Sequence, residues 1–231
     1  MNIAIIPARG GSKRIPRKNI KLFGGKPMIA WSIETAIQSG VFDSVWVSTD
    51  DQEIADIATD YGAVVPFIRP SNLADDHTGT AAVVRHAIEF AVNQELQPAV
   101  VGCIYATAPL LQSQYLLQGM NQLQQNPAID YVFSGCRFSF PIQRALYRST
   151  EGTVQPVNSD AIAMRSQDLP ETFHDAGQFY LGRCHSWLND KAIFSASSIL
   201  LELPQHLVQD IDTISDWQRA ELLHQLLLQK S

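Results

Sequence analysis

The sequence predicts an α/β fold, a mainly parallel sheet with helices on both faces, and three observations predict it. From Ile3 to Ser134, short apolar segments of strand length alternate with longer segments whose apolar residues recur every three or four positions. The run Ala99 to Ile104 is apolar without a break, as expected of a strand buried on both faces of a parallel sheet. The first strand, Ile3 to Ile6, then leads through Pro7 into a Gly-rich basic loop, the place where open α/β sheets receive ligands. With 231 residues, 45% of them hydrophobic, one sizeable core suffices, and a single domain over residues 1–231 is expected.

The elements follow in order. Pro27 suits a first helical position, and Ile29, Ile33, Ala36 and Ile37 recur at helical spacing until Gly40. Val45 to Val47 is a buried strand. Asp50 with Glu53 reads as a capping box for a helix with Ile54, Ile57, Ala58 and Tyr61 on one face, ended by Gly62. Val64 to Ile68 is a third strand, followed by Arg69-Pro70 and a polar loop, Ser71 to Thr78, with Asp75, Asp76 and His77. A helix with Val83, Val84, Ala87, Ile88 and Ala91 inward precedes the central strand and its exit loop, Tyr105 to Leu111. Ser113 is a candidate cap for the next helix, and Tyr131 to Ser134 a fifth strand. Right-handed crossovers then give a Rossmann-like sheet.

The alternation breaks at residues 137–175, where Pro141, Pro156 and Pro170 interrupt polar runs and Ala145 to Val157 reads as a hairpin turning at Glu151-Gly152. A long irregular segment inside a compact domain is usually functional, so an inserted lid or dimer arm is expected. Phe138, Phe140, Ile142 and Leu146 are apolar enough to want cover, which predicts a homodimer. Gln178 to Arg183 and Ile199 to Leu203 return as strands, and Thr213 caps a last helix through Asp216.

Six of the 17 Lys and Arg, namely Arg9, Lys13, Arg14, Arg17, Lys18 and Lys21, crowd one short stretch of a chain whose net charge is -6. A solvated surface loop has the same composition, but this one follows the first strand. Gly10 and Gly11 permit backbone angles barred to other residues, so N–H groups can converge on phosphate oxygens. No G-x-G-x-x-G is present, and Gly24-Gly25-Lys26 runs into Pro27 where a Walker loop needs Ser or Thr, which disfavours dinucleotide enzymes and P-loop ATPases. The overall acidity argues against nucleic acid as a partner. No apolar run reaches the ~20 residues of a membrane helix. Three widely spaced cysteines, and an opening strand where a signal peptide would show charged and apolar regions, predict a cytoplasmic protein.

Asp210 and Asp212 lie two apart in an extended segment, so both carboxylates can approach one hard cation; either can equally cap the last helix. A triphosphate in the basic loop would require Mg²⁺, and that favours the metal.

Taken together, IPARGGSKRIPRKNI, GKPMI, VSTDD, RPSNLADDHTGT, ATAPL and VQDIDT resemble the CMP-sugar synthetases, in order and over nearly the whole chain. FPIQRAL, RSQDL and HDAGQFYLGR are most similar to the bacterial pseudaminic acid cytidylyltransferases. The resemblance implies the nucleotide-diphospho-sugar transferase type of fold and a reaction between CTP and an acidic nine-carbon sugar. It assigns nucleotide binding to the loop Ala8, Arg9, Gly10, Gly11, Ser12, to Lys18 and Asn19, to Arg69, and to Ala106, Thr107 and Pro109. Arg9, Lys13 and Lys18 would hold the phosphates, and Asp210 and Asp212 the Mg²⁺. Arg14 stands where many relatives have Gly. The sugar carboxylate needs a cationic or amide partner; Gln143, Arg144, Arg165, Gln178 and Tyr180 are the candidates, and a structural salt bridge suits each Arg as well. His174 and Asp175 read as positioning residues, since no nucleophile motif accompanies them. Rival readings are the same reaction on N-acetylneuraminic acid, legionaminic acid or Kdo, and an inactive nucleotide-sensing module.

Overall fold

The computed structural model describes residues 1–75 and 78–229, so Asp76 and His77 lie outside the described residues. In chain order the elements are β1 (Asn2–Ala8), β2 (Leu22–Phe23), β3 (Lys26–Pro27), α1 (Met28–Gln38), β4 (Ser44–Thr49), α2 (Gln52–Asp60), α3 (Thr80–Asn93), β5 (Val100–Ile104), α4 (Ser113–Gln125) and β6 (Tyr131–Arg137). There follow β7 (Leu146–Arg148), β8 (Val154–Pro156), α5 (Ser159–Ile162), β9 (Phe173–Arg183), α6 (Cys184–Leu188), β10 (Ser198–Glu202) and α7 (Ile214–Leu228). Among the described residues, six strands form one sheet in the order β10-β6-β9-β5-β1-β4. β1 pairs in parallel with β4 and β5, and β10 with β6, whereas β9 runs antiparallel to both β5 and β6. The sheet is therefore mainly parallel with one reversed strand near its centre.

Side-chain alternation along β1 divides the core. Ala4, Ile6 and Ala8 face a layer with Ile29, Ile33 and Ala36 of α1, Ile54 and Ala58 of α2, and Leu116, Met120 and Leu123 of α4. Ile3 and Ile5 face the other layer, with Val84, Ala87, Ile88 and Ala91 of α3 and Trp187 of α6. Fully burying one such side chain contributes roughly 1.5–3 kcal/mol, so both faces of the sheet are firmly covered. A third cluster, Ile15, Phe23, Met28, Ile211, Trp217 and Ala220, lies apart from these two. It joins the basic loop, the short β2–β3 hairpin, α1, the D-x-D segment and α7. Gly24, with φ +57, makes the hairpin turn.

Four local expectations are corrected. The N-cap of α2 is Asp51, whose side chain accepts from the Ile54 N–H, because Asp50 is turned towards the loop after β1. Pro27 is the N-cap of α1 rather than its first helical residue, since it still belongs to β3. The helix α4 is preceded by Gln112 and no side chain caps it; Ser113 is already helical. Val64 to Ile68 forms only isolated bridges, Val64 to Trp46 and Ile68 to Thr49, in place of a continuous strand. The Thr213–Asp216 capping box of α7 and the β7–β8 hairpin, with Gly152 at φ +88, are present as expected.

Candidate active site

The loop after β1 is held from both sides. Its first residues are braced by side chains from elsewhere: Arg69 Nη2 donates to the Ala8 carbonyl at 3.2 Å and Asn19 Nδ2 to the Arg9 carbonyl at 3.0 Å. Asp50 Oδ1 accepts from the Gly10 N–H at 3.1 Å and lies 3.7 Å from the Arg69 guanidinium. Arg69 is buried, which draws its pKa down, with Asp50 opposing. Gly10 is required by close approach: a Cβ there would come within 2.5 Å of an Asp51 carboxylate oxygen. Further along, Arg17 adopts φ 54, rare for a side chain other than glycine, and its guanidinium pairs with Asp51 and Glu53 at the start of α2. That hydrogen bond from Arg17 holds the Asp51 carboxyl below the usual carboxylate range.

The loop walls a cleft of about 550 Å³ at the carboxyl ends of β1 and β5. Ala8, Arg9, Ser12, Lys13, Arg14, Lys18 and Asn19 line one side, Arg69, Leu73 and Asp75 another, and Thr80, Tyr105, Ala106 and Thr107 the floor. Arg9 Nη1 donates to the Asp75 carbonyl at 3.0 Å. Of the residues expected at the nucleotide, Gly10, Gly11 and Pro109 do not line this cleft; Gly11 is exposed, and Pro109, further along the loop after β5, is buried.

The far end of the chain meets this loop. Lys18 Nζ donates to the Ile211 carbonyl at 2.5 Å and lies 3.6 Å from Asp212 Oδ1. Arg14 Nη2 reaches the same Asp212 oxygen at 2.8 Å. Ile211, between the two aspartates, is buried in the third cluster together with Ile15 of the loop, so apolar packing sets this meeting as well as charge. Asp210 is exposed at the surface, but partial desolvation, and then the Asp212 charge, raise its pKa, with Lys18 and Arg14 opposing. Asp216 is occupied in the helix cap, accepting from the Thr213 and Asp212 N–H groups. Asp212 thus faces the cations while Asp216 serves α7.

A cytidylyltransferase family model matches residues 3–213. The chain belongs to the cytidylyltransferase family. It is 47% identical to the pseudaminic acid cytidylyltransferase of Campylobacter jejuni, over 97% of each protein. It is 30% identical to the CMP-N,N'-diacetyllegionaminic acid synthase of Legionella pneumophila, over 97% of this chain and 96% of that protein. The structure of a CMP:2-keto-3-deoxy-manno-octonic acid synthetase superposes with a TM-score of 0.71 at 18% identity, covering 98% of this chain and 99% of that one, which shows a shared fold.

In this cytidylyltransferase the expected sugar-binding residues are scattered. Gln178 is buried, and its Nε2 donates to the Leu207 carbonyl at 2.5 Å. Tyr180 is buried in β9 and its hydroxyl donates to Asp175, which also accepts from the Gly177 N–H at 2.9 Å. Gln143, Arg144 and Arg165 belong to the segment outside the sheet and are engaged there: Gln143 with the Pro170 carbonyl, Arg144 with the Met164 carbonyl and Ser166, Arg165 with Asp168. None of the five borders the cleft.

Four participants escaped the sequence reading. Asp50 looked like the helix cap and Asp51 was given no role; two acids directly after a parallel strand were the available sign that one of them faces the neighbouring loop. Tyr105 and Thr80, whose hydroxyls are 3.3 Å apart at the cleft floor, were noted only as the start of the exit loop and the end of the RPSNLADDHTGT stretch, with no role of their own.

Proposed function

We propose that the chain joins CTP to pseudaminic acid, forming the CMP-sugar and diphosphate, with Mg²⁺ as cofactor. The observation that carries this reading is the contact of Lys18 with Ile211 and Asp212, because it brings the basic loop against the segment that bears the paired carboxylates. The sugar is inferred from the 47% identity to the Campylobacter jejuni enzyme.

The donor set suits Mg²⁺. Asp210 and Asp212 repel one another, Asp210 is partly desolvated, and cations are drawn to Asp212. Among the described residues no third His, Cys, Asp or Glu joins them. Remaining positions would fall to phosphate oxygens and water, the usual way this ion is held. When bound, it would neutralise charge at the α-phosphate.

In-line attack by the sugar hydroxyl on the α-phosphorus breaks the bond to the β-phosphate oxygen, and diphosphate leaves. Such a transfer needs positioning and charge neutralisation rather than a covalent intermediate. Arg9, Lys13 and Lys18 would hold the β- and γ-oxygens, Arg69, Asn19, Ala106 and Thr107 the nucleoside. We also propose a homodimer in a reducing cytoplasm. Phe140 at 83% exposure, with Leu146, Tyr147 and Val154 on the β7–β8 hairpin, forms an apolar projection, and the three cysteines are free. In such a dimer Gln143, Arg144 and Arg165 would serve the cleft of the partner.

Diphosphate release with CTP, Mg²⁺ and a panel of nonulosonic acids and Kdo tests the assignment. Turnover with pseudaminic acid above the others is expected. Preference for another acid would reassign the sugar, and CTP binding without turnover on any of them would make the protein a nucleotide sensor.

A further inference from the structure

Asp212 Oδ1 is approached by two cations of different standing. Lys18 is anchored: its side chain is 18% exposed, and its ammonium also bonds the Ile211 carbonyl. Arg14 reaches across from the loop with 68% of its side chain exposed and places Nη2 at 2.8 Å from the oxygen, closer than Lys18 at 3.6 Å. Asp212 itself is only 35% exposed. One of the proposed metal carboxylates is therefore already paired with cations, and the more exposed of the two, Arg14, borders the nucleotide cleft.

We propose that Arg14 is a displaceable stand-in for the divalent cation: it closes Asp212 in the nucleotide-free protein and leaves it for the phosphates when the nucleotide enters. The inference rests on the proposed metal role of Asp210 and Asp212. An exposed ion pair between a long side chain and a carboxylate is weak, so Arg14 is released cheaply. A guanidinium is planar and matches two phosphate oxygens at once, so a triphosphate outcompetes a single carboxylate oxygen for it. Lys18, held by the Ile211 carbonyl, stays behind and keeps the segment in place. The consequence is coupling: a divalent ion binding alone must evict Arg14, whereas one arriving with nucleotide finds Asp212 vacated. Coupling is reciprocal, so nucleotide and metal should strengthen each other's binding by the same factor.

The test is Mn²⁺ binding to the full chain, read as the excess Mn²⁺ on the protein side in equilibrium dialysis, with and without CTP and in the absence of sugar, so that Mn²⁺ chelated by free CTP cancels between the two sides. Wild type, Arg14→Ala, Arg14→Gln and Asp212→Asn are compared. Without nucleotide, both Arg14 variants should bind Mn²⁺ about fivefold more tightly than wild type, the size expected of one exposed ion pair. The gain in Mn²⁺ affinity brought by CTP should shrink in them. Unchanged or weaker Mn²⁺ binding by both Arg14 variants without nucleotide, while Asp212→Asn loses it, overturns the stand-in role and leaves the metal site intact. Mn²⁺ binding undiminished in Asp212→Asn with CTP present overturns the metal assignment, and this inference with it.

Discussion

Lys18 carries its ammonium into a largely shielded position between a carbonyl and a carboxylate contributed by residues 211 and 212. Such a group is already oriented before substrate arrives and loses little by being ordered, which is what electrostatic catalysis requires. Replacing it with Ala should lower kcat by about two to three orders of magnitude, the loss typical of one preorganised partner. Steady-state diphosphate release measures this, and turnover near wild type would remove Lys18 from the mechanism. Gly10 and Asp50 act at the same scale. The glycine leaves room for Asp51, and Asp50 accepts from the Gly10 N–H, so the loop after β1 is tied to the segment between β4 and α2. The basic loop was legible because its residue types are extreme. Its partner Asp50 was not, because an acid before a helix reads as a cap whether or not it reaches across to a neighbouring loop, and Asp51, the actual cap, also pairs with Arg17.

At the scale of elements, the third cluster decides whether the two ends of the chain meet. His224 of α7 is buried there, ring against Trp31 at a centroid distance of 4.4 Å and against Phe23 at 5.3 Å. Burial, and then the charge of Lys26, lowers its pKa below the ordinary 6.5. The unfolded chain then binds a proton at higher pH than the native one, so this stabilisation is complete above pH 6.5 and is lost as pH falls through the native value. Thermal unfolding as a function of pH should show wild type losing stability below 6.5 by more than His224→Gln does. Parallel curves for the two proteins would show that His224 does not contribute. Sequence reading placed α7 and its capping box correctly but did not find the β2–β3 hairpin on which α7 packs, because two-residue strands have no periodicity. It also did not tell that β9 is reversed. A strand buried on both faces has the same apolar pattern in either direction, and only the length of the connection through residues 137–175 frees it from the crossover rule.

For the whole molecule, the residues that would read the sugar carboxylate do not border the cleft of their own chain. Gln143, Arg144 and Arg165 lie in the segment that also projects Phe140, Leu146 and Tyr147 into solvent. If this segment of one copy completes the cleft of another, two different inactive proteins should rescue each other. Mixing Lys18→Ala with Arg165→Ala, after exchange of subunits, should restore part of the diphosphate release absent from either alone. No recovery in a mixture shown by sedimentation to contain mixed dimers would confine each site to one chain. The separation of these side chains from the cleft was not legible in the sequence, where they are simply basic and amide groups downstream of the nucleotide motifs.

The central claim is that the cations after β1 and the aspartates before α7 serve one CTP. A crystal structure with CTP and Mn²⁺, using the anomalous signal of manganese, tests it most directly. The account predicts a manganese peak between Asp210, Asp212 and a phosphate oxygen, with Arg9 and Lys18 on the same triphosphate. A triphosphate bound away from Arg9 and Lys18, or manganese away from both aspartates, would contradict it.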